Sequence, residues 1–157
     1  MDGVLAKWEN VSLEETFLPG YFLSRQPEPS VIEAVKNMYE MGIDISILSC
    51  AYDNGIAGPE KAKWLELNGL GMIPRIFVPY GKDKSDFIEE ADVNVLLDDY
   101  SRNLHEWKAK GNLGFKFYNG INGTHGTWSG YSVNYRMSAK EIMIALTSIG
   151  RAYAKTA

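Results

Sequence analysis

The sequence predicts an α/β fold with three layers, a mainly parallel sheet between helices. Three observations predict it. Short apolar runs near 43–49, 73–78, 93–97 and 113–118 alternate with helix-spaced segments. Strands separated by helices pair in parallel and place the helices on both faces of the sheet. The run Asn94–Leu97 ends in two adjacent carboxylates, Asp98 and Asp99, as expected of a buried strand whose carboxyl end opens on a ligand site. The length, 157 residues, suits one domain spanning 1–157.

The elements follow in order. The chain opens Met1-Asp2-Gly3-Val4-Leu5-Ala6, and residues 7–30 are loop-like, broken by Pro19-Gly20, Pro27 and Pro29. Ser30-Val31-Ile32-Glu33 has the form of a capping box, and Val31, Ile32, Val35, Met38 and Tyr39 form one helical face. Gly42 stops that helix, and Ile43–Ser49 reads as a strand. Pro59 suits the first turn of a helix running to Asn68 and closed by Gly69. Ile73–Val78 is a strand that Pro74 assigns to an edge. A polar stretch, Gly81–Glu90, leads to the strand Val93–Leu97. Arg102–Lys110 is a helix closed by Gly111, and Leu113–Tyr118 a strand. Asn119–Ser129 is turn-rich. Ser138-Ala139-Lys140-Glu141 is a second capping box, opening a helix to Ala154 with Ile142, Leu146, Ile149 and Tyr153 on one stripe.

Composition narrows the function. Hydrophobic content of 45% and charged content of 23% are globular values. A net charge of −4 argues against a nucleic-acid polymer or a membrane surface as partner, so a phosphate-bearing substrate would need local positive charge. One cysteine, Cys50, excludes an internal disulfide, and no apolar run approaches the ~18 residues of a membrane span. With no signal-peptide pattern, the expected compartment is the reducing cytoplasm. The sequons at Asn10 and Asn122 carry no meaning there. A homo-oligomer is left open.

Several residues carry candidate chemistry. Asp98 and Asp99 suit a hard cation such as Mg2+, which prefers oxygen ligands; an ordinary turn explains the pair equally well. Two neighbouring carboxylates repel, so a positive group should sit beside them. A cysteine-phosphatase reading of Cys50 fails, because the arginine it needs six residues on is Ile56. His105 and His125 lack a second ligand at metal spacing. Trp8, Trp64, Trp107 and Trp128 read as core, and no Walker or dinucleotide motif is present.

Met1-Asp2-Gly3-Val4-Leu5-Ala6, Ser49 after a strand, Glu60-Lys61-Ala62-Lys63-Trp64, Asp83-Lys84-Ser85 and Leu96-Leu97-Asp98-Asp99 stand in a fixed order. Together they resemble the haloacid-dehalogenase-like hydrolase superfamily, and within it the 5'(3')-deoxyribonucleotidase-like family, over essentially the whole chain. The resemblance implies a Rossmann-like sheet and a Mg2+-dependent phosphomonoester hydrolase working through an aspartyl-phosphate. Asp2 matches the second aspartate of the D-x-D motif, the general acid/base whose backbone carbonyl also binds Mg2+. Ser49 matches the hydroxyl that binds the transferring phosphoryl group. Lys84 best matches the lysine that neutralises phosphate, with Lys61 second. Asp98 and Asp99 match the metal motif, Asp99 being favoured as the direct ligand. The implied substrate is a small phosphate monoester, such as a deoxyribonucleoside monophosphate. Residues 7–30 are too few for the family's helical cap, leaving Phe17, Tyr21, Phe22 and Arg25 as a small lid.

The nucleophilic aspartate of the motif would stand immediately before Met1. Two explanations are open: Met1 is internal to a longer natural chain, which is favoured, or the chain is a remnant without hydrolase chemistry that serves as a binding or interaction domain. The resemblance also implies a central strand ahead of Met1, flanked by Ile45–Ser49 and Val93–Leu97. A strand is therefore expected in that interval, whether from residues ahead of Met1, from another segment of this chain or from a neighbouring molecule.

Overall fold

The computed structural model describes residues 1–89, 91–121 and 126–154, with side chains to residue 152. The chain is α/β, and every pairing between its strands is parallel. Its elements are α1 (Pro29–Glu40), β1 (Ile47–Ala51), α2 (Ala57–Leu67), β2 (Arg75–Pro79), β3 (Val95–Asp98), α3 (Ser101–Ala109), β4 (Leu113–Tyr118), β5 (Tyr131–Asn134) and α4 (Ala139–Ala154). Short 3-10 turns lie at Glu14–Phe17 and Lys84–Phe87. None of the described helices is long and apolar enough to cross a membrane.

The two expected capping boxes part company. At α4 the box forms: Glu141 Oε2 accepts from the Ser138 amide at 2.8 Å and its hydroxyl at 2.7 Å, while the Glu141 amide donates back to Ser138 Oγ at 3.3 Å. At α1 it does not. The helix begins two residues earlier than a Ser30 cap would start it, at Pro29, whose fixed φ and missing N–H suit a first helical position. Ser30 thus lies inside the helix, and its buried Oγ has no hydrogen-bond partner among the described residues. Asn54 does the capping work for α2, its Oδ1 accepting from the amides of Ile56 (3.0 Å) and Ala57 (2.9 Å).

The sheet comes in two pieces. β1 pairs with β2, Ile47 opposite Arg75; β3 pairs with β4, and β4 with β5. β1 starts four residues later than the apolar run suggests. Its register partner begins at Arg75, after Pro74, so Ile43–Ser46 has no strand beside it. Pro74 correctly marks β2 as an edge. β5 carries no clear strand signal in the sequence, since it holds a single buried side chain, Val133.

No described segment lies between β1 and β3, so the expectation that another part of this chain fills the interval is not met. The chain after Met1 cannot fill it, because it doubles back. The amides of Val4, Leu5 and Ala6 all donate to the Met1 carbonyl at 2.8–3.2 Å, and Ala6 then bridges to Pro27. A cavity of about 970 Å3 occupies the interval.

Successive strand residues feed two separate apolar clusters. Ile47, Leu97, Phe115 and Phe117 join Val31 of α1 and Ile142 of α4, whereas Leu48, Leu96 and Val78 join Leu104 and Trp107 of α3. Both faces of the strands are thus covered, which explains their near-continuous apolar composition. Trp64, Trp107 and Trp128 are buried as expected. Of the α4 stripe, Ile142 is buried and Leu146 and Ile149 pack partly against the core; the Tyr153 side chain lies outside the described residues, as do Asn122 and His125.

Candidate functional site

Residues far apart in sequence meet at the carboxyl ends of β1 and β3. Met1 lies there, buried, and Asp2 follows it. Gly3 takes a positive φ of 73°, which lets the chain turn back at once. A Cβ at Gly3 would stand 2.0 Å from Asp99 Oδ2, so the glycine also makes room for that carboxylate.

Lys61 projects from α2 and is 2% exposed. Its Nζ donates to Asp2 Oδ2 at 2.6 Å, to Ser49 Oγ at 3.3 Å and to the Cys50 carbonyl. Ser49 is inside β1 rather than beyond it. Burial raises the pKa of Asp2, but the Lys61 ammonium, together with the amino terminus, outweighs it and holds the group below the usual carboxylate range. Asp2 Oδ1 is buried with no hydrogen-bond partner among the described residues.

Lys84 serves the other carboxylate. Its Nζ donates to Asp98 Oδ2 at 2.6 Å in a pair almost shut off from solvent. Burial pushes the lysine down, but the Asp98 charge and hydrogen bond carry it above its ordinary value. Asp98 also accepts from the Tyr100 amide at 2.8 Å and from Asn103 Nδ2 at 3.1 Å to each oxygen. Asp99 Oδ2 accepts from Asn119 Nδ2 at 3.2 Å, and the same amide group donates to the Gly3 carbonyl at 3.0 Å.

The fold therefore gives the two lysines different partners: Lys61 joins Asp2 and Ser49, and Lys84 neutralises Asp98. Sequence order alone could not separate these roles. Asn103 and Asn119 belong to the site as well, but single asparagines near a helix start or a turn carry no distinguishing signal in the sequence. Among the described residues, no three histidine, cysteine or acidic side chains converge as a ready-made metal cage. His105 bonds Thr127 Oγ1 at 2.9 Å, away from these groups.

Part of the segment before α1, from Gly20 to Arg25, packs against α2 beside the lysine. The Phe22 ring lies 4.4 Å from Lys61 Nζ. Arg25 stacks on Tyr21 at 4.4 Å and pairs with Glu9 at 2.6 Å. Glu60 accepts from the amides of Gly20 and Phe22, and Trp64 Nε1 donates to the Arg25 carbonyl at 2.8 Å. Phe17 meets Tyr52 edge-on at 4.6 Å, and Tyr52 meets Tyr80 at 4.5 Å.

A pH effect follows for the polypeptide that begins at Met1. Burial and the Lys84 charge lower its amino pKa from 8.0 to about 6. Between those values the unfolded chain holds a proton that the folded chain has released. Stability therefore rises with pH across the window and is lost as pH falls through it, by about 3 kcal/mol at most. Urea unfolding on either side of the window measures the step, and a flat profile would contradict it.

Comparison with protein-family models and with curated proteins finds no match for this chain.

Proposed function

We propose that this chain is the phosphate-handling body of a Mg2+-dependent phosphomonoester hydrolase of the haloacid-dehalogenase-like type, on a three-layer Rossmann-like fold. The observation that carries the reading is the contact of Lys61 with both Asp2 and Ser49, three residues from separate motifs of the resemblance. An ammonium beside a hydroxyl and a carboxylate can hold a phosphate dianion and keep a proton carrier next to it.

Asp2 rests as a carboxylate under the Lys61 charge. A phosphate that draws Lys61 to itself weakens that hold and adds like charge, and both effects raise the proton affinity of Asp2. Asp2 can then take a proton and pass it to the leaving alkoxide. The donor set fits Mg2+ in part. Asp99, which abuts Gly3, offers a carboxylate, and the backbone carbonyl of Asp2 is the second oxygen the resemblance implies, which leaves the Asp2 carboxylate free to carry the proton. One or two carboxylates with water and substrate phosphate suffice for this ion. Asp98, already engaged by Lys84, Tyr100 and Asn103, fits an orienting role better than direct ligation. Bound there, Mg2+ would neutralise phosphate charge as the reaction proceeds.

A second reading is a binding or interaction domain on the same fold, without catalysis. The two separate experimentally. The resemblance puts the nucleophile directly before Met1, so the chain extended there by a strand ending in Asp is expected to hydrolyse an aryl phosphate only with Mg2+. The same extension ending in Asn should be silent. Lys61→Met in the active form should lower kcat/KM by about 10²–10³-fold. No turnover by the Asp-ended form, or equal turnover by the Asn-ended form, would sink the hydrolase reading.

A further inference from the structure

Lys116 is a buried charge that the proposed chemistry does not use. It lies toward the carboxyl end of β4 and is 1% exposed. Its Nζ donates to Ser101 Oγ at 2.6 Å, and the ring of Tyr118 lies 5.9 Å away. The backbone of Gly126 roofs this contact, since a Cβ there would stand 2.2 Å from both Lys116 Nζ and Ser101 Oγ. Lys61 and Lys84, also buried, each hold a carboxylate. Among the described residues, no carboxylate comes within ion-pair distance of Lys116. A buried ammonium resting on a hydroxyl has lost its hydration without a counter-charge in contact, which is a costly arrangement.

The sheet register shows which charges it faces. Lys116 stands opposite Asp98 on the neighbouring strand. Residues paired in this way send their side chains to the same face, on strands about 4.8 Å apart. Both side chains reach the first turn of α3. Lys116 bonds Ser101 there, and Asp98 accepts from the Tyr100 amide and from Asn103. The ammonium is therefore near enough to Asp98 and Asp99 to act on them through space, while Ser101 holds it away from direct contact. In a site with little water to screen it, a unit charge at that range shifts the binding of a divalent ion strongly.

We propose that Lys116 is a positioning residue that sets the charge of the acidic site: its ammonium offsets part of the negative charge of Asp98 and Asp99, so that Mg2+ alone is held weakly and a phosphate dianion is tolerated beside it. The inference rests on the Mg2+ site proposed above and extends it to a residue outside the motifs of the resemblance. A bare acidic pair would hold the cation tightly and repel the phosphate. With Lys84 in contact and Lys116 at a distance, the site takes up the two ions together, because their charges cancel.

The test measures, by calorimetry, the binding of Mg2+ and separately of inorganic phosphate. It compares the 157-residue chain with Lys116→Met, Lys116→Gln and Ser101→Ala. Both neutral replacements of the lysine are expected to bind Mg2+ about tenfold more tightly and phosphate about threefold less tightly. Ser101→Ala keeps the charge and should leave both affinities within about twofold of the parent. Opposite shifts for the two ions are the signature of charge, whereas damage to the fold weakens both. Unchanged affinities in both lysine variants, or parallel weakening for both ions, would overturn the proposal and leave the Mg2+ site standing. Failure of both lysine variants to fold would overturn it too, by making the ammonium a structural support. A parent chain that binds no Mg2+ would overturn the Mg2+ reading itself, and this proposal with it.

Discussion

Replacing Lys84 by Met is expected to cost about 3–5 kcal/mol, the usual consequence of removing one partner from a buried ion pair. The methionine keeps most of the packing volume but strands Asp98. That carboxylate is 3% exposed, and the hydrogen bonds it retains from Tyr100 and Asn103 do not cancel its charge. Against a total stability of ~5–15 kcal/mol, a loss of that size moves the urea midpoint far to the left. Adding Asp98→Asn should recover part of the loss by removing the uncompensated charge. A Lys84→Met chain with an unchanged midpoint would show that the pair contributes nothing.

Gly3→Ala is expected to be the most damaging single methyl addition at the site. The added Cβ lands 2.0 Å from Asp99 Oδ2, and the φ of 73° is itself unfavourable for alanine by roughly 1–2 kcal/mol. Asp99 must move, and with it the Asn119 contact that ties Gly3 to the end of β4. The double variant Gly3→Ala with Asp99→Gly removes the collision but keeps the backbone strain, so a double-mutant cycle separates the two costs. If the second substitution recovers nothing, Asp99 is not what the alanine meets.

Much of the fold was legible because its signals are local. Leu113–Tyr118 is apolar except for Lys116 and is bounded by turn residues, and it forms β4 with those bounds. Ser138 and Glu141 sit at cap spacing with nothing to compete. Failures came where a partner decides the outcome. Ile43–Ser46 has strand composition but meets an open cavity, and β1 forms only where β2 lies alongside. Ser30 lost its capping role to its neighbour Pro29. The pairing of Lys61 with Asp2 spans most of the path from the amino end to α2, and no spacing rule reports so long a contact. The acidic pair after Leu97 was visible, but its division of labour depends on Lys84 and Asn119, which only the folded chain brings near.

Glu60 and Lys61 are consecutive residues with distinct tasks. One anchors the amides of Gly20 and Phe22; the other holds Asp2. Their side chains leave the same turn of α2. One turn of α2 thus fixes both the Gly20–Phe22 segment and the Asp2 carboxylate, so a substitution that shifts this turn disturbs the two together.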